Sequence, residues 1–172
     1  YEIRNCDWSS DVCSSDLAVR RRARREPMSH VLERREFWSL ALRVTADTLD
    51  PRPDSETVIA STLSAIDDRT APFRVLDLGT GSGCLLLALL SELPNATGMG
   101  TDLSAKALAV ARENAHDLGF GERCRFHQGD WDRGLDGDFD VIVSNPPYVP
   151  SEEIDGLQPE VDRKSTRLNS SH

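Results

Sequence analysis

The run with the most specific chemistry in the sequence is Asn145-Pro146-Pro147-Tyr148, which follows the apolar stretch Phe139 to Ser144. A planar NH2 group on an amide or a nucleobase is a poor nucleophile, because its lone pair is delocalised and no ordinary base removes its proton at neutral pH. Two acceptors aimed at its hydrogens free that lone pair. The Asn145 side-chain carbonyl can take one hydrogen and the Pro146 backbone carbonyl the other. Two successive prolines fix φ and hold the second carbonyl still, and Tyr148 offers a flat apolar wall.

A second cluster precedes it. Asp77-Leu78-Gly79-Thr80-Gly81-Ser82-Gly83 joins a short apolar run to a helical one. Glycines at every second position strip side chains from a turn against which a ligand can lie, and the following helix points free N–H groups at that ligand. The spacing is GxGxG, so a dinucleotide pyrophosphate is not the expected guest. Asp102 follows Gly83 by 19 residues at the end of a candidate strand, where a carboxylate can accept from two ribose hydroxyls or cap the helix that Ser104 begins. Trp131, in Gly129-Asp130-Trp131, can stack on a flat ring or serve as an apolar plug.

These residues need a frame. Arg74 to Leu78, Thr97 to Thr101, Cys124 to His127 and Phe139 to Ser144 read as strands. Cys84 to Leu93 reads as an apolar helix stopped by Pro94. Ser104 caps a second helix with Ala107, Leu108, Ala111, Ala115 and Leu118 on one face, and Gly119 ends it. Alternating strands and helices call for a parallel sheet, which makes this a Rossmann-like α/β layer. Upstream, Phe37 to Val44 reads as a strand or hairpin and Asp50 to Pro53 as a stiff loop. Asp54 or Ser55 then caps a helix with the stripe Val58, Ile59, Leu63 and Ile66. The arginine-rich stretch Ala18 to Glu26 has helical propensity up to Pro27.

The chain has 172 residues, room for one core and not for two full-sized domains. Its longest apolar run, Cys84 to Leu90, is far too short to span a bilayer. A net charge of −9 is the wrong sign for a broad nucleic-acid surface, so DNA is not the expected partner. Residues 1–17 and 163–172 carry no period, resemble translated sequencing-adapter sequence and are expected to be foreign flanks. The first holds four acids against Arg4 and the second Arg163, Lys164 and Arg167, so the acidity belongs to residues 18–162. Within that middle, Cys84 and Cys124 stand alone, which suits a reducing cytosol. His30, His116, His127 and His172 are scattered and read as surface residues, and no metal site is expected.

Taken together, Arg25 to Trp38, Pro51 to Glu56, Val75 to Gly83, Gly129 to Trp131, Asn145 to Tyr148 and Leu157 to Val161 resemble the HemK/PrmC methyltransferases. That resemblance implies a class I S-adenosylmethionine-dependent methyltransferase fold preceded by a β-hairpin. It also implies methylation of the glutamine amide nitrogen in the Gly-Gly-Gln motif of class 1 peptide chain release factors. Carried over, Gly79, Thr80, Gly81, Ser82 and Gly83 would cradle the methionine part of S-adenosyl-L-methionine. Asp102 would hold its ribose, Trp131 would line its adenine pocket, and Asn145 would touch both cofactor and substrate. Asn145, Pro146, Pro147 and Tyr148 would hold the glutamine amide. Asp50 and Ala41 depart from the family pattern. The resemblance further implies a division into residues 18–53, the end of a helical domain with hairpin and linker, and residues 54–162, a methyltransferase domain. Its sheet would lack three strands, which would leave Phe139 to Ser144 as an exposed edge. Two alternatives stay open: an adenine-N6 DNA methyltransferase, since the same four residues suit an extruded adenine, and a cofactor-binding fragment without turnover.

Overall fold

A computed structural model describes residues 19–20, 22–25 and 28–145. Helix α1 (Met28–Leu32) leads into a hairpin of β1 (Arg34–Phe37) and β2 (Leu40–Arg43), then α2 (Ser55–Ser64). The α/β layer follows as β3 (Arg74–Leu78), α3 (Cys84–Glu92), β4 (Thr97–Asp102), α4 (Ala105–Asp117), β5 (Cys124–Gln128) and β6 (Val141–Ser144). The four later strands form one parallel sheet in the order β5-β4-β3-β6.

That order decides where a ligand can sit. The chain moves outward from β3 through β4 to β5, then returns to place β6 on the opposite side of β3. Beyond the carboxyl ends of β3 and β6 the connections diverge, which opens a crevice at the switch point of such a sheet. The glycine run leaves β3 there and Asn145 leaves β6 there. The Ser144 hydroxyl donates to the Leu78 carbonyl at 2.9 Å and ties the two strand ends together.

The core is built around α3. Leu85 through Leu90 are all buried, as are Val75 and Val143 of the sheet and Ile59 and Leu63 of α2. A helix apolar on every side must be covered on every side, and here α2 packs against α3 opposite the sheet. Its carboxyl end is closed from a distance: the Arg123 guanidinium donates to the carbonyls of Leu90, Leu93, Pro94 and Ala96. On α4 both predicted ends are present. The Ser104 hydroxyl accepts from the Ala107 N–H at 3.2 Å. Gly119, at φ 77°, donates to His116 while Phe120 donates to Ala115, a Schellman closure.

Several expectations shift. The hairpin spans Arg34 to Arg43, because Trp38 and Ser39, not a glycine pair, supply the two positive φ values of its turn. The Trp38 indole N–H donates to Glu92 at 2.8 Å and anchors the tip. The edge strand starts at Val141, two residues later than expected; Phe139 instead lies under the Arg74 guanidinium. Ile142 on that strand is 61% exposed, and β6 is the last strand of the sheet among the described residues. Asp54 occupies the cap position of α2 without a side-chain cap bond. His30, expected at the surface, is buried within α1, while His116 is exposed and His127 half-buried. Among the described residues no helix is long and apolar enough to cross a membrane. The proposed flanks 1–17 and 163–172 lie outside the described residues.

Candidate active site

One cavity of about 320 Å3 lies over the carboxyl ends of the strands. Gly79, Thr80, Gly81, Ser82, Asp102, Trp131 and Asn145 all line it, so seven residues selected from sequence alone converge. Gly83 does not. At φ 83° it begins α3, and a Cβ there would meet Leu87 and Ala111 at 3.3 and 3.4 Å, so its role is close helix packing. Gly79 and Gly81, at φ 72° and 57°, have open space where a side chain would stand. Pro146, Pro147 and Tyr148 lie outside the described residues.

The loop is held by its backbone. Thr80 N–H donates to the Thr101 carbonyl at 2.8 Å. Asp102 does two jobs at once: one carboxylate oxygen accepts from Gly81 N–H at 2.9 Å and the other from Ser104 N–H at 2.8 Å. Each oxygen keeps a further lone pair for a hydroxyl from the cavity. Trp131 is 53% exposed at φ 58°, which makes it a wall of the opening and not a buried plug.

Four polar atoms of the lining are buried without a hydrogen-bond partner: Asp50 Oδ1, Asp77 Oδ1, Ser82 Oγ and Thr101 Oγ1. Unsatisfied buried polar atoms are costly, and four around one cavity mark a place built for a polar guest. Asp77 is 1% exposed, and burial pushes its carboxyl up to about 6. The Thr80 hydroxyl, donating to its other oxygen at 2.7 Å, and the Leu86 N–H oppose that rise, while the Asp102 charge adds to it. Burial, and then the Asp77 charge, likewise raises the Cys84 thiol to about 12, so it stays protonated and unreactive at neutral pH.

Sequence reasoning passed over several of these residues. Asp77 was visible as the last acidic residue of β3, where a charge on a buried strand needs a reason. The loop Ala46 to Arg52 and Ser55 form a further wall of the cavity. Within it Asp50 accepts from the Ser29 hydroxyl at 2.7 Å and so ties α1 to the loop. Asn114, buried on the apolar face of α4, accepts from Arg43 N–H at 2.7 Å and donates to the carbonyls of Arg43 and Ser82 at 3.0 and 2.8 Å. It joins the hairpin to the glycine run. Asn114→Leu should therefore destabilise the fold by about 3 kcal/mol, since one buried and two part-buried backbone groups lose their partner; urea unfolding of both chains measures it. Among the described residues no cluster of His, Cys, Asp and Glu could hold a metal ion.

Comparison with known proteins bears on what such a cavity serves. A family model described as a methyltransferase domain matches residues 70–165. A release factor glutamine methyltransferase of Caulobacter vibrioides is 50% identical over 151 residues, 87% of this chain and 52% of that protein. One from Rhodospirillum rubrum is 49% identical over 148 residues, 86% of this chain and 45% of that one. The chain thus spans about half the length of the curated relatives it matches. Among solved structures, an S-adenosylmethionine-dependent methyltransferase from Geobacter sulfurreducens in complex with S-adenosyl-L-homocysteine is 28% identical. It aligns at a TM-score of 0.43, over 68% of this chain and 44% of that one.

Proposed function

The chain belongs to the methyltransferase-domain family, and on that premise we propose that it acts in S-adenosylmethionine-dependent methylation of a protein glutamine. The substrate would be the side-chain amide nitrogen in the Gly-Gly-Gln motif of class 1 peptide chain release factors. One observation carries this reading: Asn145 reaches the same cavity whose floor is the open glycine run and the unpartnered atoms of Asp77, Ser82 and Thr101. The residues present fit the cofactor. Gly79 to Ser82 would lie along its methionine part, Asp77 Oδ1 would accept from its ammonium, Asp102 would take its ribose hydroxyls, and Trp131 would cover its adenine. When bound, S-adenosylmethionine supplies an electrophilic methyl group on a sulfonium sulfur.

What the chain itself does is orient and accept. The Asn145 carbonyl, together with the Pro146 carbonyl, would take both hydrogens of the glutamine NH2, and Pro147 and Tyr148 would hold its plane. The nitrogen lone pair would thereby be directed to one side; the new N–C bond would replace the S–C bond of the methyl donor, with S-adenosylhomocysteine as the leaving group, and the extra proton on nitrogen would pass to solvent. Placement supplies the rate, with no base of shifted pKa required. The proposed setting is the cytoplasm, where Cys84 and Cys124 remain thiols.

The test is transfer of labelled methyl from S-adenosylmethionine to a release factor, with the labelled atom located by peptide mass spectrometry. Label on the Gly-Gly-Gln glutamine is expected. Label on adenine of duplex DNA, with the release factor unmodified, would overturn the substrate assignment. Cofactor binding without any transfer would reduce the chain to its binding function.

A further inference from the structure

We infer that Ser55 is a positioning residue, which fixes the Asn145 carboxamide so that its carbonyl end, and not its NH2 end, faces the substrate. The inference rests on the methyl-transfer reading above and adds a residue to it. Asn145 Nδ2 donates to Ser55 Oγ at 2.5 Å, across 90 positions of sequence. Both residues line the cavity.

A carboxamide is nearly symmetric in shape and opposite at its two ends in chemistry. Unless something distinguishes the ends, the group can rotate to present two N–H donors to an incoming NH2, and two donors cannot bond each other. An acceptor placed at one end removes that freedom. In the structure the Ser55 hydroxyl oxygen takes that part by accepting from Nδ2, which leaves Oδ1 as the end for the cavity; a hydroxyl can also donate, so the selection holds while its own hydrogen points away from Asn145.

Ser55 is itself well placed to set a geometry. It is only 4% exposed and opens α2 at the first helical position, with its N–H donating to the Arg52 carbonyl at 3.0 Å. One turn and two turns further on, Ile59 and Leu63 are buried in the core against α3. Pro51 and Pro53 restrict the chain on its other side. The hydroxyl is thus carried by a helix that cannot shift without disturbing the core, whereas Asn145 follows the last residue of an edge strand. Rigid support for a reactive side chain on a less constrained segment is what such a contact provides.

The test uses Ser55→Ala and Ser55→Thr in the whole chain, the second keeping the hydroxyl. Nitrogen–proton NMR of the Asn145 side-chain amide, identified by its loss in Asn145→Asp, reads the contact directly without cofactor. One Nδ2 proton should exchange slowly in the parent chain, exchange like a free amide in Ser55→Ala, and be slow again in Ser55→Thr. In the methylation assay kcat should fall about 10- to 100-fold in Ser55→Ala and recover in Ser55→Thr, with cofactor affinity within about twofold of the parent throughout. Unchanged Asn145 amide exchange in Ser55→Ala would overturn the inference. So would an equal loss of kcat, cofactor affinity and thermal stability in both variants, which is the signature of packing alone. If the parent chain methylates no glutamine, the substrate reading fails, while the exchange measurement still decides whether Ser55 orients Asn145.

Discussion

Asn145→Ala should lower methyl transfer by a factor of about 100 to 1,000, the cost of removing one preorganised polar partner from a reacting group, while cofactor affinity changes by less than about threefold. The asymmetry follows from where Asn145 sits. It enters the cavity from the end of β6, on the far side of β3 from β4, whose end carries Asp102. The contacts that hold the glycine run, Thr80 to Thr101 and Gly81 to Asp102, involve none of its atoms. Deleting its carboxamide therefore leaves the contacts of the glycine run intact and removes one of the two acceptors proposed for the substrate NH2. Asn145→Asp separates acceptance from side-chain identity. A carboxylate still accepts, and the Ser55 hydroxyl can donate to it in place of receiving from Nδ2, so this variant should retain more activity than Asn145→Ala. Single-turnover rates with saturating cofactor, and calorimetric titration of each variant, measure the two quantities apart. A full rate in Asn145→Ala, or a loss explained by weaker cofactor binding, would remove Asn145 from the proposed chemistry.

Which parts of the site were legible in the sequence depends on how far apart the interacting residues lie. The glycine run and Ser104 are encoded within a few residues of where they act. Positive φ at Gly79 and Gly81 and a hydroxyl three residues before Ala107 are local demands that few residue types meet. The hairpin is the opposite case. Its turn uses Trp38 and Ser39 at positive φ, a conformation their types disfavour, and the Trp38 indole bond to Glu92 of α3 supplies the compensation. No pattern within ten residues of Trp38 carries that information. Asn114 and Ser55 are hidden for the same reason, because their partners are 32 to 90 residues away. Position alone gave a partial signal for Asn114: it interrupts an apolar helical face, where a polar residue has to be satisfied by something. The late start of the edge strand also has a tertiary cause, since Arg74 takes Phe139 under its guanidinium before pairing begins.

Asp77→Asn should separate the stability of the fold from its capacity for the cofactor. An Asp whose carboxyl is ordinarily near 3.8 and is pushed up by burial to about 6 is destabilising when ionised. Well below its ordinary 3.8 it is protonated in both folded and unfolded chains and costs nothing. As pH rises through 6 it ionises in the folded chain too, and the full penalty of about 3 kcal/mol is then present. The amide does not titrate. Relative to the parent, Asp77→Asn should therefore gain about 2 kcal/mol between pH 4 and pH 8, whatever constant offset its new NH2 introduces. Urea unfolding at both pH values measures that difference. Equal pH slopes in the two chains would mean that Asp77 does not carry the penalty. Cofactor binding should move the other way. The ionised Asp77 offers its unpartnered Oδ1 to an ammonium, so parent affinity should rise as pH goes from 5 to 7, and the Asn variant should bind about 100-fold more weakly at pH 8 with little pH dependence. A buried carboxylate that destabilises the empty fold is then explained by its guest, because the charge that burial disfavours is the charge the ammonium requires.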